Sequence, residues 1–219
     1  MEIELKYLIE DEETQKKLWD PSVFGKYGEV DLHAETNMRA VYYDTEDGLL
    51  RSVDAAFRIR KENDRYVATL KWGGTSDEAL HEREELNLPL CEKSDAEEPS
   101  LKVFAESEKG RELIELAGER KLIPTVETSF TRRTMRIDTG KTICEAALDT
   151  GKIITSGGNA DIRELELELF SGDVEDIEAI GRDLAEKFSL RPGIVSKYAR
   201  GPSSPSFVIA TEAKRSMFS

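Results

Sequence analysis

Two short stretches constrain this chain more than any others. Near its start Glu2-Ile3-Glu4-Leu5-Lys6 alternates charged and apolar residues. Far downstream the same pattern returns as Glu164-Leu165-Glu166-Leu167-Glu168-Leu169. On a β-strand successive side chains point to opposite faces, so each stretch carries its carboxylates on one side and its aliphatic residues on the other. A half-exposed antiparallel strand explains either one alone. Two such runs of carboxylates repel themselves, however, and require cations nearby, either metal ions or basic side chains such as Lys6.

The intervening strands supply basic residues on single faces. Ala56-Phe57-Arg58-Ile59-Arg60 alternates, Asn63-Asp64 turns the chain, and Arg65 to Trp72 follows as its hairpin partner, with Thr69 and Lys71 on one side and Leu70 and Trp72 on the other. In His81 to Leu88 one face holds His81, Arg83, Glu85 and Asn87. Lys121 to Ile137 places Arg132, Thr134 and Arg136 together, and Thr142 to Ile154 places Glu145 with Asp149. Glu29 to Tyr43 reads as one long strand, with Tyr42 and Tyr43 as core. Helices are expected after Asp11 and ended by Asp20-Pro21, as two short pieces from Pro99 to about Ala117, and after the cap Asp173, where Val174, Ile177, Ile180, Leu184 and Phe188 recur at helical spacing.

About eight strands with ionisable residues on one face leave two ways to close a barrel. With the apolar faces inside, the helices have nowhere to bury their own apolar sides. With the charged faces inside, both problems vanish. The expectation is therefore an α+β fold: a closed eight-stranded antiparallel β-barrel whose charged interior forms a tunnel, with helices packed outside. Lys6, Arg58, Arg60, Lys71, Arg83, Arg132, Arg136 and Lys197 then face one lumen. Two such cations 4 Å apart repel by about 4 kcal/mol at an effective dielectric near 20. A polyanion relieves that repulsion, and guanidinium forks suit phosphate oxygens. Glu2, Glu4, Glu166 and Glu168, oxygen ligands without Cys or His companions, suit Mg2+ or Mn2+.

Composition narrows the partners. A net charge of −14 over 219 residues argues against nucleic acid, although a small phosphorylated ligand responds only to its local cavity. The two cysteines provide no disulfide framework or thiolate metal cluster. No apolar run approaches membrane-spanning length and a strand pattern begins at once, so a cytoplasmic protein without membrane attachment is expected.

Taken in order, Glu2-x-Glu4-x-Lys6, Tyr42-Tyr43-Asp44-Thr45, Phe57-Arg58-Ile59-Arg60, Thr69-Leu70-Lys71, His81-x-Arg83-x-Glu85, Glu145-x-Ala147-x-Asp149, Glu164-x-Glu166-x-Glu168 and Ser196-Lys197 resemble the signature series of the CYTH superfamily, the triphosphate tunnel metalloenzymes. The likeness covers residues 1 to 200 and is greatest to the CYTH domain of bacterial inorganic triphosphatases. It implies a tunnel domain over 1–200, followed by a tail or linker over 201–219. It also implies metal-dependent hydrolysis of a small-molecule triphosphate or polyphosphate, with Glu2, Glu4, Lys6, Lys71 and Glu168 as catalytic residues. Lys6, Arg58, Arg60, Lys71, Arg83, Arg132 and Lys197 would bind phosphate, and Glu2, Glu4, Glu166 and Glu168 the metal. Glu85, Glu145, Asp149 and Glu164 would support them, while Arg39 and Arg133 stay outside the site. A class IV adenylate cyclase, a thiamine or nucleoside triphosphatase and a non-catalytic polyphosphate-binding module are the competing readings.

Overall fold

The computed structural model describes residues 1–32, 35–91, 93–155 and 157–198; the expected tail over 201–219 lies outside them. The strands are β1 (Glu2–Leu8), β2 (Glu29–Leu32), β3 (Thr36–Thr45), β4 (Ala55–Glu62), β5 (Arg65–Asp77), β6 (Leu80–Leu90), β7 (Leu122–Asp138), β8 (Ile143–Thr155), β9 (Gly158–Ser171) and β10 (Arg191–Pro192). Eight of them close into an antiparallel barrel in the order β1-β6-β5-β4-β3-β7-β8-β9, completed by the pairing of β9 with β1. The short β2 adds to β7 and the short β10 to β1.

Alternation decides what each face meets. Leu165 and Leu167 are fully buried on the outside of β9, beneath helix α6 (Val174–Phe188), where they pack with Leu5, Tyr7, Ile177, Ile180 and Leu184. That cluster also receives α1 (Glu12–Leu18) and α2 (Pro21–Gly25) through Leu18, Val23 and Phe24. A second outer cluster covers β3 to β6, drawing on α3 (Leu49–Ser52), α4 (Lys93–Glu97), a 3-10 turn (Leu101–Phe104) and α5 (Glu108–Ala117). Burial of such side chains contributes roughly 1.5–3 kcal/mol apiece. The helices therefore lie outside the barrel because its apolar faces do.

Several local expectations change. The stretch from Glu29 to Tyr43 is two strands rather than one, since β2 and β3 pair with successive parts of β7, Leu32 opposite Met135 and Thr36 opposite Arg132. Asp20-Pro21 ends α1 and also begins α2, with Asp20 accepting from the Ser22 amide and Pro21 in the first turn, where its missing N–H costs nothing. Asp173 occupies the cap position of α6 without a side-chain cap bond; Thr142 Oγ1 accepts from its amide instead. Tyr43 belongs to the outer core, but its neighbour Tyr42 points into the barrel, as adjacent residues on one strand must.

The interior is also not charged throughout. Ala40, Tyr42, Val126, Phe130, Ile153 and Ile162 form a small apolar cluster, with Met38 and Tyr198 packed against it. Ala40, Tyr42, Val126 and Phe130 share the face of β3 and β7 that lines the lumen, two of them in the cavity wall itself.

Candidate active site

A cavity of about 200 Å³ occupies the barrel, a size suited to one small ligand. Its wall carries seven predicted cations, Lys6, Arg58, Arg60, Lys71, Arg83, Arg132 and Lys197, facing five carboxylates, Glu2, Glu4, Glu85, Glu166 and Glu168. Arg136 is not among the lining residues; it stands on β7 opposite Glu145 of β8, which also lies outside the wall. Asp149 and Glu164 are not in the wall itself; both are fully buried and hold Lys197, which is part of it. Arg39 and Arg133 lie apart from the cavity, paired with Glu127 and Glu35.

The carboxylates fall into two groups with opposite electrostatics. Asp149, Glu164 and Glu166 bring oxygens within 4.8 Å of one another. Geometry alone suggests a metal site, but Lys197 Nζ already lies in their midst, at 2.8, 2.7 and 2.8 Å. Arg132 adds a two-pronged contact to Asp149, 2.7 Å on each arm, and touches Glu166, to which Lys6 also reaches at 3.2 Å. Burial by itself would raise the Glu166 pKa; Lys197, Lys6 and Arg132 outweigh it and hold the group well below the usual carboxylate range. Against the opposite pull of burial, Glu4 and then Glu166 raise Lys6, and Asp149 and Glu166 raise Lys197.

Glu2, Glu4 and Glu168 are far less compensated. Glu4 and Glu168 face each other across the β1–β9 pairing, and Glu2 lies one step along β1 on the same face. Lys6 reaches Glu4 at 2.9 Å. Lys71 must serve both Glu2, at 2.5 Å, and Glu85. Glu168 has no ion-pair partner among the described residues. Burial, followed by the neighbouring Glu2 charge, pushes Glu168 up to about 7. Glu2 also rises to about 7, through burial first and then repulsion by Glu85 and Glu4, which together exceed the pull of Lys71. Glu85, close to Lys71 and Arg58, falls to about 2 despite burial.

Arg58 and Arg60 of β4 and Arg83 of β6 are the remaining arginines of the wall, and of these Arg58 alone forms no ion pair among the described residues. Arg58 Nη1 donates to the Tyr42 hydroxyl at 3.0 Å, and its buried Nε has no partner among the described residues. Burial and the adjacent Arg58 charge bring Arg60 down to about 10, although Glu62 stands beside it. Arg83 donates to Asp54 at 2.8 Å and to the Gly73 carbonyl at 3.1 Å. His81, its pKa lowered by burial and by Lys6, is neutral near pH 7 and donates through Nε2 to the Gly193 carbonyl at 2.9 Å.

Six lining residues escape sequence reasoning as site residues: Met38, Tyr42, Ala56, Asn87, Phe130 and Tyr198. Asn87 shares its face with His81, Arg83 and Glu85 and was legible from alternation. Tyr42 and Phe130 look like core residues because they are buried and aromatic. Tyr198, stacked on Tyr42 at 5.0 Å, enters the cavity only through the path of the chain after α6.

Known proteins share this architecture. A Hippeastrum protein assigned as an adenylyl cyclase, and described as revealing a dominant triphosphatase activity, superposes with a TM-score of 0.63 at 18% identity, over 91% of this chain and 94% of that one. An assigned adenylate cyclase of Bacillus halodurans gives 0.52 at 24% identity, over 90% and 92%. Both likenesses concern the fold. In sequence, the inorganic triphosphatase of Haemophilus influenzae is 32% identical over 176 residues, which cover 80% of this chain and 47% of the relative, so this chain spans about half of that protein's length. The CYTH domain model matches residues 1–201, and with the closed barrel and its two-signed lumen already in place, the chain belongs to the CYTH domain family.

Proposed function

We propose that this protein hydrolyses inorganic triphosphate to pyrophosphate and phosphate with the help of a divalent cation, and that residues 1–200 are the unit that does so. One observation carries the reading: a single small lumen sets Glu168 of β9, which has no ion-pair partner among the described residues, opposite Arg58 of β4, whose buried Nε has none either. A cation bound to a polyphosphate satisfies both walls.

The donor set fits a hard metal. Glu2, Glu4 and Glu168 offer oxygen only, and burial and neighbouring carboxylates push Glu2 and Glu168 up to about 7 because the nearby basic groups do not offset them. Glu166, first assigned to the metal, is engaged by three basic side chains and fits better as the residue that positions Lys6, Lys197 and Arg132. A bound Mg2+ or Mn2+ would supply Lewis-acid polarisation of phosphate oxygens.

The remaining work belongs to the chain's own groups. Arg58 and Arg60 bind the anion most directly, with donors to spare. Lys6, Lys71, Arg83, Arg132 and Lys197 complete the positive surface and stabilise charge that develops on the transferred phosphoryl group, the main task of a protein in such reactions. Asp149 and Glu164 hold Lys197 aimed inward, and Glu85 holds Lys71; Glu145 balances charge opposite Arg136. A cytoplasmic setting belongs to the same reading and agrees with two free cysteines and with the lack, among the described residues, of a helix able to cross a membrane.

Phosphate release from tripolyphosphate, ATP, thiamine triphosphate and pyrophosphate, each with Mg2+, Mn2+ or EDTA, tests the proposal. Tripolyphosphate is expected to be the preferred substrate, and EDTA to stop the reaction. Formation of cyclic AMP from ATP would convert the assignment to a cyclase. Metal-dependent triphosphate binding without phosphate release would make the protein a binding module.

A further inference from the structure

The two mouths of the barrel are built differently. Strand ends including Leu8, Thr45, Ala55 and Leu122 ring one of them; Glu2, Thr36, Glu62 and Asp138 belong to the other. At the first mouth, residues 191–198 lie across the opening as a strap. Leu8 pairs with Arg191 and Tyr7 with Pro192, after which the Gly193 amide donates to the Lys6 carbonyl at 2.8 Å. A Cβ at Gly193 would stand 2.6 Å from Lys6 Cγ, so a glycine lets the strap lie against β1. Its far end is Tyr198, stacked on Tyr42 of β3, with the Arg51 guanidinium of α3 5.2 Å from its ring centre.

In the barrel order β1 and β3 are four strands apart in either direction, so the strap runs across a diameter. Ile194 and Val195 on it are 62% and 44% exposed, whereas Lys197 is buried in its carboxylate cage. Beneath Tyr198 lies the inner apolar cluster of Val126, Ile153 and Ile162. A phosphate has no hydrogen-bond partners among those side chains, and stripping its water there is costly.

We propose that Tyr198, clamped by Arg51, is a specificity-determining residue that shuts this mouth and makes the lumen a blind sac, so that a linear polyphosphate is captured by its end and cannot thread through. The inference rests on the lumen being a triphosphate site. The exterior does not compete for polyanions, because the chain carries a net charge of −14. Entry is through the mouth flanked by Glu2 and Glu62, with the terminal phosphate leading.

Calorimetric titration of the whole protein with linear polyphosphates of increasing length, in EDTA, reads this without requiring turnover. In the wild type the number of proteins bound per chain stays at one per chain end whatever the length. In Tyr198→Ala that number rises with chain length. Arg51→Met, at an exposed position that does not endanger folding, shifts it in the same direction. A wild-type stoichiometry that grows with length, variants fixed at one protein per end, or failure to bind polyphosphate at all would overturn the inference. Phosphate release from tripolyphosphate on the same samples separates the two proposals: end-limited binding without hydrolysis removes the hydrolase and leaves the blind sac standing.

Discussion

The barrel holds two clusters of three carboxylates, and they differ in what surrounds them rather than in what they are. Asp149, Glu164 and Glu166 have a lysine at their centre and two further cations beside them. Glu2, Glu4 and Glu168 share two lysines, both divided with another carboxylate, Lys6 with Glu166 and Lys71 with Glu85. The first cluster is electrostatically complete and its Glu166 ionises far below neutrality; in the second, two groups still hold protons near pH 7. An acidic cluster therefore indicates a metal only when nearby cations leave it undercompensated. The tighter cluster by geometry is the poorer candidate.

The largest expected effect is on catalysis. Glu4→Ala and Lys6→Ala should each lower phosphate release by about 10²–10³-fold or more, the scale seen when a preorganised charge is removed from a transition state, while circular dichroism stays unchanged. Near-wild-type turnover in either would remove the open cluster from the site. Next comes Lys197→Met, which strands three buried carboxylates and should cost about 3–5 kcal/mol in urea denaturation at pH 8, with the loss shrinking toward pH 5 as those groups take up protons. A cost under about 1 kcal/mol would show that the closed cluster does not depend on its central lysine.

Glu168→Gln should act in the opposite sense. A carboxyl whose folded pKa lies above its unfolded one favours the folded state most while protonated, and that advantage fades as pH rises through about 7. The metal-free wild type should therefore lose up to about 3 kcal/mol relative to Glu168→Gln between pH 5 and pH 8, at 1.4 kcal/mol per pKa unit. A constant difference across that range would mean that Glu168 is as well compensated as Glu166. The smallest effect sharpens the comparison further. Because protons compete with metal at Glu2 and Glu168, the rise in Tm caused by Mg2+ should be a few degrees greater at pH 8 than at pH 5.5, and turnover should increase on the alkaline side of neutrality. A pH-independent metal response would place the cation elsewhere.

Most of this site was legible before any coordinates. Period-two alternation assigns each ionisable residue of a strand to a face, and the helices claim the apolar faces, so the charged ones must turn inward; Lys6, Arg58, Arg60, Lys71, Arg83 and Arg132 all follow. Alternation cannot say where a lumen stops. Arg136 shares its face with Arg132 yet lies beyond the cavity wall, because that depends on how far β7 extends past its neighbours. It also cannot separate an aromatic residue buried outside a barrel from one buried inside, which is why Tyr43 behaves as core while Tyr42 holds Arg58.

By itself the chain determined its strands, the side of each that is charged, and so a closed barrel with a two-signed interior, since these follow from local spacing and from the need to bury one face and neutralise the other. Only the tertiary structure decided which carboxylates are already neutralised and which mouth is shut. Both depend on residues 191–198, whose return across the barrel places Lys197 among Asp149, Glu164 and Glu166 and Tyr198 against Tyr42. Charge compensation is a matter of distances between side chains far apart in sequence, and periodicity along a strand carries no information about them.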